Sequence, residues 1–140
     1  MKMKSIAFFL SSVFCIFMVG TVQANRDLLA CYQKAKDPTQ ELQCLEKEYK
    51  VVRREHKDVV ERVAAIAKAW DKPYRNRQRW TKFIQAGQSY DTYVTRECQF
   101  FGWTTKGNRT KEKIAEMGCK VNLYRARIDM LENRYLSSGK

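Results

Sequence analysis

The sequence predicts an all-α protein: a disulfide-stapled antiparallel bundle of three long helices, preceded by a short N-terminal helix. Three observations point there. Apolar residues recur at steps of three and four through most of the chain. Gly and Pro are scarce, and no low-complexity segment or compositional shift marks a linker after the leader. Behind an export signal, four cysteines fall in two pairs, each straddling a turn.

The export signal occupies residues 1–24. Lys2 and Lys4 supply its positive start, Ile6 to Gly20 its apolar run, and Val22-Gln23-Ala24 the small residues read by a signal peptidase, so cleavage is expected after Ala24. A membrane anchor needs about 20 apolar residues. This run is shorter, is interrupted by Ser11 and Ser12, and has no hydrophobic successor, so no stable membrane insertion is expected. Cys15 follows Ser12-Val13-Phe14 rather than a lipoprotein-type approach and leaves with the leader, which reduces 5 cysteines to 4. Residues 25–140 then form a single domain, small enough that disulfides matter to its stability. Two of the 27 Lys and Arg leave with the leader and none of the 15 Asp and Glu, so the mature chain carries about +10. Such a charge attracts anions at long range without specifying which.

The short first helix spans Arg26 to Lys36, with Leu28, Leu29 and Tyr32 available to the core. At Asp37-Pro38-Thr39-Gln40 a cap, a first-turn proline and a glutamine three residues after the cap announce the second helix. Its stripe reads Leu42, Leu45, Tyr49, Val52, His56, Val59, Val63, Ile66, Trp70, a coiled-coil-like seam. Pro73 ends or kinks it near Asp71 and Lys72, because proline lacks the amide hydrogen and crowds the preceding turn. A third helix is expected from near Tyr74, with the stripe Trp80, Phe83, Gly87, Tyr90, Val94, Cys98, Phe101 and a gap or close approach at Gly87. Thr104 to Arg109, containing Gly107-Asn108, reads as a turn. The last helix carries Ile114, Met117, Val121, Tyr124, Ile128, Leu131 and Tyr135, and Ser137-Ser138-Gly139 ends it.

Four cysteines allow three connectivities. In an antiparallel hairpin, residues equidistant from the turn face one another. The midpoint of Cys31 and Cys44 falls between Asp37 and Pro38, and that of Cys98 and Cys119 between Asn108 and Arg109. Both midpoints lie on expected turns, which favours Cys31–Cys44 and Cys98–Cys119 over the crossed pairings. Each bridge contributes about 3 kcal/mol by restricting the unfolded chain.

Catalytic and metal constellations are hard to assemble. The single histidine, His56, sits on the seam of the second helix, where a structural role is expected. The cysteine spacings are not the close pairs of zinc sites, so no metal or other cofactor is expected, and the chain does not read as an enzyme. The basic residues offer more. Tyr74-Arg75-Asn76-Arg77-Gln78-Arg79-Trp80-Thr81-Lys82 sets four cations beside aromatics, a composition able to hold phosphate, sulfate or sugar acids, although a solvated helix start with Trp80 in the core has the same composition. Lys106, Arg109, Lys111 and Lys113 form a second basic run. No nucleic-acid-binding motif accompanies these charges. Asn108-Arg109-Thr110 matches a glycosylation sequon, which matters only in a eukaryotic secretory pathway.

Cys31, Glu41, Cys44 and Glu48-Tyr49, then Tyr90, Tyr93 and Cys98, then Cys119, Leu123, Arg127 and Leu131 form an ordered pattern along the chain. In that pattern the chain resembles the LprI-like lysozyme-inhibitor family of small exported bacterial domains. The sequence departs from the family pattern at Tyr90, Val94 and Tyr124, where Trp, Arg and Thr are usual, and keeps only Gly107 of a double-glycine loop. The resemblance implies the same two disulfides, a periplasmic or secreted location, and a non-catalytic binding role toward a protein partner, lysozyme. An anionic envelope component such as lipopolysaccharide is the alternative partner suggested by charge. Animal lysozymes are generally basic, so a chain near +10 meets repulsion rather than steering, and no clean acidic face emerges along the second helix. Candidate binding residues are Tyr90, Tyr93 and Arg127 from the family pattern, with Arg75, Arg77 and Arg79 from the basic run. Core packing is the competing role for the two tyrosines, and an ion pair with Glu97 or Asp91 that for Arg127.

Overall fold

The computed structural model describes residues 28–75 and 77–137; the leader and Cys15 lie outside them. Helical turns at residues 28–34 form α1, followed by α2 (Pro38–Asp71), α3 (Arg79–Thr104) and α4 (Arg109–Leu131). The end of α4 widens into a π-helical turn, Glu132–Leu136, which the sequence reading did not anticipate.

Each pair of long helices is in contact. Arg125 meets Glu48 and Arg62 meets Glu132, so α2 and α4 run parallel. Arg53 meets Asp91 and Tyr90 meets Leu123, so α3 runs against both. The centre is aliphatic: Leu45, Val52 and Val94, with Val121 and Leu131 from α4, are all 1% exposed or less. Burying each such side chain contributes about 1.5–3 kcal/mol.

Both expected disulfides are present, each with Cα atoms 5.5 Å apart. Cys31–Cys44 ties α1 to the first turns of α2, and Cys98–Cys119 closes the α3–α4 hairpin.

The caps explain the boundaries. The Asp37 carboxylate accepts from the amides of Thr39 and Gln40, and Gln40 Oε1 accepts from Lys36 N. Asn108 caps α4 by accepting from Lys111 N, and Gly107 enters that turn at φ +144°, a conformation that side chains rarely adopt. α2 stops at Asp71, as Pro73 requires. The third helix begins at Arg79, however, not near Tyr74. Its immediate cap residue, Gln78, makes no side-chain bond. Instead the Asp71 carboxylate, left at the end of α2, accepts from the amides of Arg79 (3.2 Å) and Trp80 (3.0 Å). One acid therefore closes the α2–α3 turn. Asp71→Ala is expected to cost about 1 kcal/mol and lower the melting temperature by a few degrees in a circular-dichroism melt.

Two stripes need correction. On α2 the buried line passes Val52, His56, Val59, Val63 and then Ala67, leaving Ile66 partly buried and Trp70 47% exposed. A straight helix of 3.6 residues per turn drifts from a 3.5-residue seam, and over this length the drift shifts the contact by one residue. On α3, Gly102 is buried and Phe101 is 51% exposed. A Cβ on Gly102 would lie 2.9 Å from the Glu112 carbonyl oxygen of α4, so the hairpin closes backbone to backbone there. Of the gap or close approach expected at Gly87, the gap is found, since nothing lies within 4 Å of its Cβ position. Trp80 is 44% exposed rather than in the core.

Candidate functional site

α2 places Tyr49, Arg53 and His56 on successive turns facing the bundle, α3 brings Tyr90 and Asp91, and α4 brings Tyr124 and Arg127. Tyr124 is the hub. Its buried hydroxyl donates to Asp91 Oδ1 at 2.8 Å, and the same oxygen accepts from Arg53 Nη1 at 3.1 Å. The Arg53 guanidinium also lies 4.3 Å over the Tyr124 ring, with the rings of His56, Tyr49 and Tyr90 at 4.9, 6.1 and 6.2 Å. Burial, then the bond to Asp91, push the Tyr124 phenol far above its usual range, so it remains a neutral donor.

His56 is buried against this cluster. Burial is the main influence lowering its pKa below 6.5; Asp91 opposes it and Arg53 and Arg127 assist it. A depressed histidine pKa means that the unfolded chain binds more protons than the folded one as pH falls below 6.5. Stability is therefore expected to decline from about pH 6.5 downward, and His56→Phe to flatten that part of a denaturation-midpoint profile against pH. All four cysteines among the described residues are in disulfides, so no thiol there is free to pair with His56. No group of three His, Cys, Asp or Glu is placed to hold a metal among the described residues.

The family-matched residues meet but divide between roles. The Arg127 guanidinium lies 5.0 Å over the Tyr90 ring, and the Tyr90 hydroxyl donates to the Leu123 carbonyl at 2.7 Å. Tyr90 is thus a partly buried strut between α3 and α4, and burial raises its pKa. Tyr93 stacks 6.1 Å from Tyr90 but is half exposed. Arg127 stacks on Tyr90, while the Asp91 carboxylate suggested as its partner is bonded to Arg53 and Tyr124. Of the basic run, Arg77 stacks on Tyr74 at 4.3 Å, Arg75 lies exposed in the turn, and Arg79 bonds the Trp70 carbonyl. The structure does not bring the three arginines together with Tyr93.

Sequence reasoning missed the polar partners. Asp91 and Arg53 bridge positions 38 residues apart, and Glu48 and Arg125 meet at 3.0 Å across 77 residues. The Glu48 in the family pattern was the available signal for the second pair. It also missed an aromatic strip on α3. Tyr93 and Phe100, seven residues apart, share one line of the helix; Phe101 and Trp103 flank it, and Trp103 is 75% exposed.

The fold and site define a class: a disulfide-pinned helical bundle with a polar cluster joining its three long helices and several large aromatics exposed on α3. Its family follows from comparison. The family model described as Lysozyme inhibitor LprI matches residues 31–131, and the chain belongs to that family. No curated protein and no solved structure matches. Membership agrees with a protein-binding role and with the exported character of the family; no helix among the described residues is long and apolar enough to cross a membrane.

Proposed function

We propose that this chain is an exported, non-catalytic inhibitor of lysozyme that docks through the aromatic strip Tyr93, Phe100, Phe101 and Trp103. The carrying observation is the strip itself. Four large aromatics, each at least half exposed, stand on a helix held rigid by Cys98–Cys119. Exposed aromatics of this kind are candidate anchors, and aromatic anchors dominate binding energies. Family membership supports lysozyme as that partner.

An aromatic contact also suits the charge. A strongly basic chain and a basic enzyme repel at long range, so affinity must come from short-range desolvated contacts, and moderate salt should strengthen binding by screening the repulsion. An extended polyanion as the partner finds less support. On α2 the cations Lys57 and Arg62 lie beside Glu61 and Asp58, which breaks the basic surface into short stretches.

Purified mature protein should slow lysozyme-driven clearing of a bacterial cell-wall suspension at low-micromolar concentration. Unchanged clearing at tens of micromolar would remove the proposal.

A further inference from the structure

At the end of the bundle away from the α3–α4 turn, α2, α3, α4 and the π-helical turn line an open cavity of about 770 Å³. That is within the range of small-molecule sites. Its walls are apolar where the helices meet, at Val63, Phe83, Met130 and Leu131. Four cations complete the lining, Arg79, Lys82, Arg127 and Arg134, and no Asp or Glu lies among the lining residues.

Elsewhere some exposed cations sit beside acids, as in Lys57–Glu61, Arg62–Asp58 and Arg62–Glu132. Here neutral groups contact three of the cations, Arg79, Lys82 and Arg127. Arg79 donates to the Trp70 carbonyl at 2.9 Å and lies over the Trp70 and Tyr74 rings at 6.0 and 5.9 Å. Arg127 rests on Tyr90. Lys82 Nζ contacts only a side-chain amide oxygen, that of Gln85 at 3.5 Å, among its bonded partners. Neutral holders orient a cation without cancelling its charge. Apolar walls beside uncancelled positive charge concentrate the field into the cavity.

We propose that this cavity binds an anionic amphiphile: an acyl or similar apolar chain lying against Trp70, Phe83 and Met130, with a phosphate or carboxylate head held by Arg79, Lys82 and Arg127. The arginine forks match the paired oxygens of such a head, and lysine adds a point charge. The apolar wall alone would accept a neutral chain, and the cations alone an inorganic ion; their juxtaposition selects a molecule with both parts. The site is distinct from the aromatic strip, since Lys82 and Trp103 lie about 30 Å apart along α3.

The test is calorimetric titration of the mature protein with submicellar decyl phosphate, alongside inorganic phosphate, neutral octyl glucoside, and vesicles containing an anionic phospholipid. Decyl phosphate should bind one to one, at least tenfold more tightly than either inorganic phosphate or octyl glucoside. Lys82→Gln, an exposed position, should weaken it about tenfold. Lys113→Gln, which removes the same charge near the opposite end, should leave it unchanged. Equal effects of the two variants would show attraction to net charge alone and overturn the proposal. So would equal affinity for the neutral amphiphile, or binding to vesicles without binding to dispersed decyl phosphate.

Discussion

Replacing Cys98 and Cys119 together with alanine is expected to destabilise the domain by about 3 kcal/mol, seen as a fall in the urea midpoint of the oxidised protein. The bridge closes a separation of 21 residues and pins α3 to α4 beside the point where Gly102 meets the Glu112 carbonyl. Its loss frees the unfolded chain and loosens the tightest backbone contact of the hairpin. The Cys31–Cys44 bridge closes a shorter span of 13 residues and holds only the short α1 against α2, so its removal should cost no more. Most single-domain proteins are stable by about 5–15 kcal/mol. Removing both bridges is therefore expected to leave the domain largely unfolded near body temperature. If the Cys98–Cys119 variant kept the wild-type midpoint, the stapled-hairpin account of stability would be wrong.

Asp91→Ala should rank next, at about 2 kcal/mol. The carboxylate is half exposed, which limits the value of its pairing with Arg53. The larger cost lies with Tyr124, whose buried hydroxyl would lose its acceptor in the middle of the bundle. Asp91→Asn retains an oxygen there and should recover most of the loss. Equal destabilisation by both substitutions would mean that the charge, rather than the acceptor for Tyr124, holds the three helices together.

Much of the scaffold was legible in the sequence because its determinants are local. Asp37-Pro38, Pro73 and Gly107-Asn108 each act within a turn of their own position, and the helix ends fall beside them. The disulfides were legible for a related reason, since equal distance from a turn is a local statement about a hairpin. The start of α3 was not legible, because its cap arrives from Asp71, eight residues upstream, across a turn whose shape no propensity describes. Phe101 was assigned to the core because stripe counting rewards size, whereas the hairpin demanded a residue with no side chain at Gly102. The hub escaped notice because Arg53, Asp91 and Tyr124 belong to three helices and no one stretch contains more than one of them. Tyr90 and Tyr93 looked equivalent three residues apart, yet one braces α4 and the other faces solvent.

The division of labour that results is simple. Interior polar groups such as Asp91 and Tyr124 join the helices, and the outer face of α3 is the one proposed to meet a partner. The central claim is that this face, and not the basic residues, engages lysozyme. Calorimetric titration of an animal lysozyme with wild-type protein and with the Phe100→Ser, Trp103→Ser double variant tests it most directly. Both residues are well exposed, so the variant should melt like wild type. The account predicts one-site, low-micromolar binding by wild type and at least a tenfold loss, about 1.4 kcal/mol or more, in the variant. Equal affinity for the two proteins, or no binding by wild type, would contradict it.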